Sequence, residues 1–485
     1  PRHPQSAEAG YAALLAYDRH GATLPAGQQA AWQRRAIASA LQFAATYTEH
    51  PQAVAVQTRA AGDLFKLGDF AAAAQAAQQV VERADGPREL RRTAWTVVAH
   101  ASFDLGDYER AEAAYQQTLA LVPAQESGRQ ALVERLAAAV YRQGEQARTR
   151  GDLAAAAAHF ARVRSNAPGA EIVATADYDA AAALLELRDW PNATAQLEAF
   201  RRHHPDHTLQ PEVTRKLAVA YLEGGRIGQA AAEFVRVADA SQDPHLQREA
   251  LWQAAELYQQ SHQTVPALQT WGDYVKRFPQ PLEPATEARQ QLADLHTAAG
   301  APAARLAVLT ELVQHEAAAP STERSERTRY LAARAALEIA MPAVESYRRI
   351  VLKAPLKKHL DSKQRHLKLA VAACTRAAEY GVAEVTTAAT YHIAEIYRHF
   401  GQALLDSERP GNLSAEEAEQ YVLLLEEQAF PFEEQAIEIH ETNVARIPQG
   451  IYDDWVRQSL QQLAQLLPVR YAKQERGEDD VAEIR

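Results

Sequence analysis

The sequence predicts an all-α chain, a solenoid of helix–turn–helix repeats followed by a long-helix C-terminal extension. Three observations predict it. The 485 residues are 47% hydrophobic but only 7% aromatic, with long alanine-rich stretches and few glycines, a mixture that favours helix throughout. A break between two helical runs recurs at nearly constant spacing. A small residue stands at a fixed distance on each side of each break. A chain of this length needs no division into separate globular domains, because each unit of a solenoid packs only on its neighbours.

The breaks are Gly68-Asp69-Phe70, Gly106-Asp107-Tyr108, Gly151-Asp152-Leu153, Arg188-Asp189-Trp190, Gly225-Arg226, His262-Gln263 and Gly300. Successive first residues differ by 38, 45, 37, 37, 37 and 38, a period near 37 with one longer loop. Seven residues before each break stands Ala61, Ala99, Gly144, Ala181, Ala218, Ala255 or Ala293. Five after it stands Ala73, Ala111, Ala156, Ala193, Ala230 or Ala267, with Arg305 the one departure. Two antiparallel helices that cross closely need small residues there, since a larger side chain would hold their axes apart. One turn beyond the second small position come Tyr115, Phe160, Leu197, Phe234 and Trp271, placed to fill the gap to the next unit. Pro123, Pro168, Pro205 and Pro279 close the second helices of their units.

Upstream, Glu8 to Arg19 and Gln28 to Thr48 read as helices that cap the stack, because an end unit lacks one neighbour. After Pro320 the 37-residue register disappears. Long helices are expected over Thr322 to Lys353, with a kink or restart at Pro342, then Leu356 to Tyr380, Val382 to Ser407, Ser414 to Arg446 and Ile451 to Lys473. Ser414 and Glu417 have capping-box spacing, and Arg409-Pro410-Gly411-Asn412 is the turn before them. The expected organisation is capping helices over 1–50, seven repeats over 51–317, a non-repeating helical domain over 322–473 and a mobile charged tail over 474–485.

The net charge of -11 argues against nucleic acid as the main partner, since phosphate binding needs clustered Lys and Arg. No window approaches eighteen consecutive apolar residues, so no transmembrane segment is expected. The chain opens on Pro1-Arg2-His3 with no Met and no apolar signal core, and any targeting segment is expected to have been removed. A lipid anchor on a segment ahead of residue 1 is compatible with that reading. Cys374, the single cysteine, lies in an alanine-rich helical run and reads as a small core residue.

The repeat pattern resembles the tetratricopeptide repeat (TPR), whose consensus has a small residue on each helix, a Gly-Asp-Tyr-like turn and a terminal Pro. The resemblance covers roughly residues 51–317 and implies a right-handed superhelical TPR-like solenoid that binds other proteins. The phrases Phe200-Arg-Arg-His-His-Pro205 and Tyr274-Val-Lys-Arg-Phe-Pro279 look like the variant found in bacterial envelope scaffolds, among them the outer-membrane assembly lipoprotein BamD and Tol–Pal-associated periplasmic proteins. In the C-terminal part, Ala354-Pro-Leu-Lys-Lys358, Tyr380 to Tyr391, Leu405 to Pro410, Leu425 to Glu434 and Pro468 to Lys473 are similar to a proteobacterial family of repeat proteins described as components of TonB systems. That resemblance implies a periplasmic protein, with TonB/ExbB/ExbD-type energy-transducing or motility complexes as the partner system. A cytoplasmic TPR assembly or regulatory adaptor is the alternative.

No phosphate loop, HExxH, CxxC pair or GxSxG occurs, so no enzyme activity, cofactor or metal is expected. Gly224-Gly225-Arg-Ile-Gly228 follows no strand and reads as an inter-helix turn. His203, His204 and His207 cluster but bring no added carboxylate or thiolate ligand, and an exposed loop is the plainer reading. The acidic residues Glu475, Glu478, Asp479 and Asp480 read as a solvated tail, and the Glu416 to Glu434 stretch as a solvated helix surface with partner docking as its second use.

In this repeat class the first helix of each unit lines the inner surface, where an extended peptide or a helix lies. Counting from the first small residue places His100, Tyr141, Glu145, Arg148, Tyr178, Arg215, Trp252, Glu256 and Gln259 there. Tyr141, Tyr178, Arg215 and Trp252 are the expected anchors, since aromatic and Arg side chains combine apolar area with placed donors. The surface lacks a regular Lys and Asn set, so capture of a free C-terminus is not expected.

Overall fold

The computed structural model describes residues 3, 5–83, 86–411 and 413–472. Every regular element among them is helical. The expected tail over 474–485 and Asn412 of the expected turn lie outside the described residues. The chain divides into two compact units, Pro1–Ala240 and Ser241–Arg485.

In the first unit α1 (Ser6–Gly21) and α2 (Ala26–Thr46) precede five helical hairpins: α3 (Ala53–Lys66) with α4 (Phe70–Val81), α5 (Arg88–Asp104) with α6 (Tyr108–Leu121), α7 (Arg129–Thr149) with α8 (Leu153–Asn166), α9 (Val173–Glu186) with α10 (Trp190–His203), and α11 (Gln210–Glu223) with α12 (Ile227–Ala240). Each helix packs on the next in sequence, and first helices also meet across repeats, α3 against α5 and α7 against α9.

One turn joins the two helices of every repeat. Gly68, Gly106, Gly151, Arg188 and Gly225 all have positive φ, between 59° and 80°. The residue after each donates its backbone N–H five residues back, as in Asp69 to Leu64 O (3.0 Å) and Asp189 to Leu184 O (2.9 Å), which satisfies a carbonyl the helix end leaves open. Asp69, Asp107, Asp152 and Asp189 then accept from the backbone N–H three residues on and start the second helix. Both small positions are buried in every repeat of this unit. At Gly144 a Cβ would stand 2.6 Å from the fully buried Phe160 ring, so glycine is required there by contact. Tyr115, Phe160 and Leu197 are fully buried as expected, while Phe234 on α12 stays part-exposed.

The second unit begins with the same hairpins, α13 (Pro244–Gln260) with α14 (Thr264–Arg277) and α15 (Leu282–Ala298) with α16 (Pro302–Ala318). Their turns repeat the geometry at His262 (φ 56°) and Gly300 (φ 67°). Arg305, the departure from the small-residue rule, donates from Nε and Nη2 to both carboxylate oxygens of Glu338 at 2.9 Å. It thereby fastens α16 to α17 (Glu326–Arg348), which runs unbroken through Pro342. After it come α18 (Leu356–Ala378), α19 (Ala383–Leu405), α20 (Ala415–Val444), a short 3-10 turn at Ile447–Gln449, α21 (Asp454–Leu466) and α22 (Pro468–Tyr471).

The sequence register ends at 317, but the packing pattern does not. Each of these helices lies on the next, and alternate ones meet as first helices do, α15 with α17, α17 with α19 and α19 with α21. The helices are longer, 23 residues for α17 to α19 and 30 for α20. Ser414 and Glu417 form the expected capping box. The single helix expected over Ile451 to Lys473 is corrected to two, broken at Leu467 (φ -129°, ψ 63°). Pro468 has no N–H to continue the ladder and pushes its predecessor out of the helical region.

Candidate functional site

The first helices of the first unit present a row of side chains that hold one another across repeats. Phe65 on α3 lies 6.0 Å from the His100 ring on α5. Arg135 on α7 lies over the Phe103 ring of α5 at 5.8 Å. Tyr141 on α7 donates to Asp179 on α9 at 2.5 Å, and Arg148 approaches the other oxygen of Asp179 at 3.9 Å. Lys216 on α11 sits over the Tyr178 ring of α9 at 5.6 Å. Cation–ring and charge-assisted contacts of this kind order the row without covering it.

None of the nine expected residues is buried, and they fall into two groups. His100, Tyr141, Glu145, Arg148, Tyr178 and Arg215 belong to the first unit; Trp252, Glu256 and Gln259 belong to the second. His100 shares a 2.7 Å hydrogen bond with the Tyr115 hydroxyl, and burial followed by nearby Arg135 lowers its pKa, which keeps the ring neutral. Tyr141 is pushed up by burial and then by its bond to Asp179, so it stays a phenol. Glu145 accepts from Arg142 at 2.6 Å. Arg148 lies over Phe160 at 5.4 Å yet remains exposed. Arg215 donates to Glu212, whose pKa its hydrogen bond lowers. Tyr141, Arg148, Tyr178 and Arg215 are thus held by neighbours, the two arginines exposed and the two tyrosines part-exposed.

In the second unit Trp252 stands edge-on to Trp271 at 4.8 Å and donates its indole N–H to Glu256 at 2.7 Å. Gln259 accepts from the Trp271 indole at 2.8 Å and donates to Gln291. Gln259 therefore holds the buried Trp271 as much as it faces outward.

The remaining candidates take structural places. His204 pairs with Asp177 at 3.0 Å beside Arg164, His207 Nδ1 accepts from Leu209 N–H, and both rings pack on Phe200. Gly224 and Gly225 form the turn between α11 and α12. Cys374 is buried in the core, where burial pushes its thiol up to about 11.

Sequence reasoning missed three features. Buried carboxylates on second helices bind arginines on the second helix of an adjacent repeat, Glu112 with Arg162 of the following one at 2.5 Å and Glu233 with Arg201 of the preceding one at 2.6 Å. Their only sequence signal is an acid at an otherwise apolar helix position. A cavity of about 440 Å³ opens among α1, α2 and α3, lined by Trp32, Tyr17, Leu15, Ile37 and Arg59. Trp32 in an expected capping helix was its signal. In the second unit a polar seam joins α19, α20 and α21: Asn443 donates to Thr387 O and Ser459, His440 contacts Ser459 and Glu395, and Thr387 donates to Asp453.

The recurring left-handed turn, the capped second helices and the buried small residues at both crossings settle the fold. The fold is that of TPR-type helical hairpins. The sequence model of the outer membrane lipoprotein family YfiO matches residues 134–280, under a third of the chain. Both envelope-type phrases, Phe200 to Pro205 and Tyr274 to Pro279, lie within that span. No curated protein matches the chain. Among solved structures, the P58(IPK) TPR domain is 17% identical, covering 73% of this chain and 98% of its own, at a TM-score of 0.22. PilW, a type IV pilus biogenesis factor, is 15% identical over 51% of this chain and 99% of its own, at 0.21. TTC0263, a TPR protein of Thermus thermophilus, is 20% identical over 41% and 98%, at 0.19. Likeness at this level says nothing of function. No helix among the described residues is long and apolar enough to cross a membrane.

Proposed function

We propose that this chain is a non-enzymatic protein-binding scaffold of the bacterial cell envelope, periplasmic, that works with a TonB/ExbB/ExbD-type energy-transducing or motility complex. One observation carries the binding reading. Tyr141, Arg148, Tyr178 and Arg215 stand on successive first helices, positioned by neighbours, with the two arginines exposed and the two tyrosines part-exposed, an arrangement that lets a repeat surface hold an extended segment at low ordering cost. The envelope location is supported by the lipoprotein-family match over 134–280, and the energy-transducing partner by the C-terminal phrases between Ala354 and Lys473. Residues 51–317 are taken as the repeat stack and 322–473 as the extension that ties it to its partner system. Capture of periplasmic domains of TonB- and ExbD-type proteins by the full chain tests the reading. Saturable binding of at least one is expected, and binding of none would sink it.

A further inference from the structure

Helix α20 carries nine glutamates and no lysine or arginine in its 30 residues, against a net charge of -11 for the whole chain. It is also the most exposed apolar element of the second unit. Val422, Leu423, Leu424 and Phe430 are 38%, 64%, 51% and 57% exposed. The cause is geometric. α20 packs along α19 where Gly401 faces Ala429 and Phe432, and α19 ends four residues later at Leu405. The first buried residue of α20 is Leu425. Ala415 to Leu424 therefore runs on past the end of α19 for about 15 Å at 1.5 Å per residue. The capping box at Ser414 and Glu417 keeps this arm helical, and Arg409 lies over Tyr421 at its base.

The helical period sorts the arm into faces. Leu425, Ala429, Ala436, His440 and Asn443 point to the core. On the opposite side stand Leu423 and Phe430, two turns apart, with Glu416, Glu419, Glu427 and Glu434 in the same stripe. A solvated helix surface has no use for two large apolar side chains at that spacing, and an ordinary apolar seam has no use for a carboxylate between each pair of turns.

We propose that the outer face of α20 is a docking site, distinct from the first-helix row, for a basic amphipathic helix of a partner protein. Its apolar side would take Leu423 and Phe430 as anchors, and its lysines and arginines would meet the glutamates on either flank. The chain's own segments do not supply that chemistry. Its last residues, Glu475 to Arg485, are predominantly acidic. The outer face of α18 is basic through Lys357, Lys358, Arg365 and Lys368, but offers one large exposed apolar residue, Leu369, against four on α20, so a second copy is the poorer fit.

The test uses the full chain and a synthetic 18-residue helix with leucines on one face and lysines on the other. The control is a peptide of the same composition scrambled to have no face. Fluorescence anisotropy should show the facial peptide binding at least tenfold more tightly than the scramble, and more weakly as salt rises. Leu423→Ser with Phe430→Ser should abolish that preference at an unchanged thermal midpoint, because both side chains already face water. Glu419→Lys with Glu427→Lys and Glu434→Lys should abolish binding, also at an unchanged midpoint. Equal binding of the two peptides, or variants that bind as the parent does, would overturn the proposal. So would sedimentation in which the parent self-associates and Leu423→Ser with Phe430→Ser alone makes it monomeric, since that assigns the face to a second copy.

Discussion

The hairpins of the first unit and the long helices that end the second are held together in different ways. In the first, helices of mostly 14 residues cross on buried alanines, with one turn geometry repeated and Tyr115, Phe160 and Leu197 fully buried. In the second, the 23- and 30-residue helices keep that neighbour packing without the 37-residue register of small residues, and single buried polar groups help fix how they meet. Lys363, fully buried, donates to Ile350 O at 2.8 Å and Tyr347 O at 3.4 Å, closing the end of α17. Asn443, His440 and Ser459 do the same work among α19, α20 and α21. A repeated apolar contact is redundant and tolerant. A unique polar one specifies an arrangement and fails sharply when one partner is removed.

The sharpest way to break that comparison is Lys363→Ala. It strips the Ile350 carbonyl of its donor, leaving Tyr347 O to the Ile350 N–H alone, and opens a cavity beside the Tyr347 ring, and should cost about 2–4 kcal/mol. Loss of hydrogen-exchange protection should be confined to α17, α18 and α19; an unchanged exchange pattern would mean the buried lysine specifies nothing. Next in size is Gly144→Ala in the first unit. Helix propensity alone would favour alanine by about 1 kcal/mol, but the new Cβ meets Phe160, and overpacking should leave a net loss of about 1–2 kcal/mol. Adding Phe160→Leu should recover part of it in urea unfolding.

Acid should separate the two regions without any mutation. His392 and His399 are lowered to about 4 by burial, then by Arg348 for the first and by Lys363, Arg348 and Arg398 for the second. Their folded pKa lies below the unfolded value near 6.5, so the stability of the neutral rings is full above pH 6.5 and is lost as pH falls towards 4. Burial pushes Glu395 up, but hydrogen bonds from Arg398 and His440 outweigh it and bring it to about 2, a contribution lost only below about pH 4.5. The first unit has lowered histidines at His100 and His159 but none shifted so far. Peptides from α19 and α20 should therefore lose exchange protection between pH 6.5 and 4 before peptides from α5 to α10 do. The reverse order would contradict the pKa reading.

The smallest effect is one on which the two units should agree. Arg188 and His262 occupy the left-handed turn position that glycine fills elsewhere. Arg188→Gly and His262→Gly should each stabilise by about 0.5–1 kcal/mol, the left-handed penalty less the extra chain entropy of glycine. Equal gains in thermal midpoint would show that the turn acts locally in both.

That local character is why the repeats were legible in the sequence. A glycine, its following aspartate and two small residues lie within thirteen positions of one another, so Gly68 to Ala73 can be read without knowing what packs on it. The first helices were legible as helices for the same reason, and Tyr178 and Arg215 lie on α9 and α11 without being buried. Its cross-repeat contacts were not, because Tyr141 to Asp179 joins residues 38 apart through side chains no period marks. The long-helix region was legible only as helices. Asn443 reaches Thr387 and His440 reaches Glu395 across different elements, and nothing local distinguishes those residues from solvated ones. The break at Leu467 does have a local signal, Pro468.

The central claim, that the first-helix row of the first unit carries the partner, is tested most directly by calorimetric titration of the full chain with a TonB- or ExbD-type periplasmic domain, parent against Tyr178→Ala with Arg215→Ala. An affinity at least tenfold weaker in the variant, about 1.4 kcal/mol or more, is expected at an unchanged thermal midpoint. Equal affinity in parent and variant would contradict it.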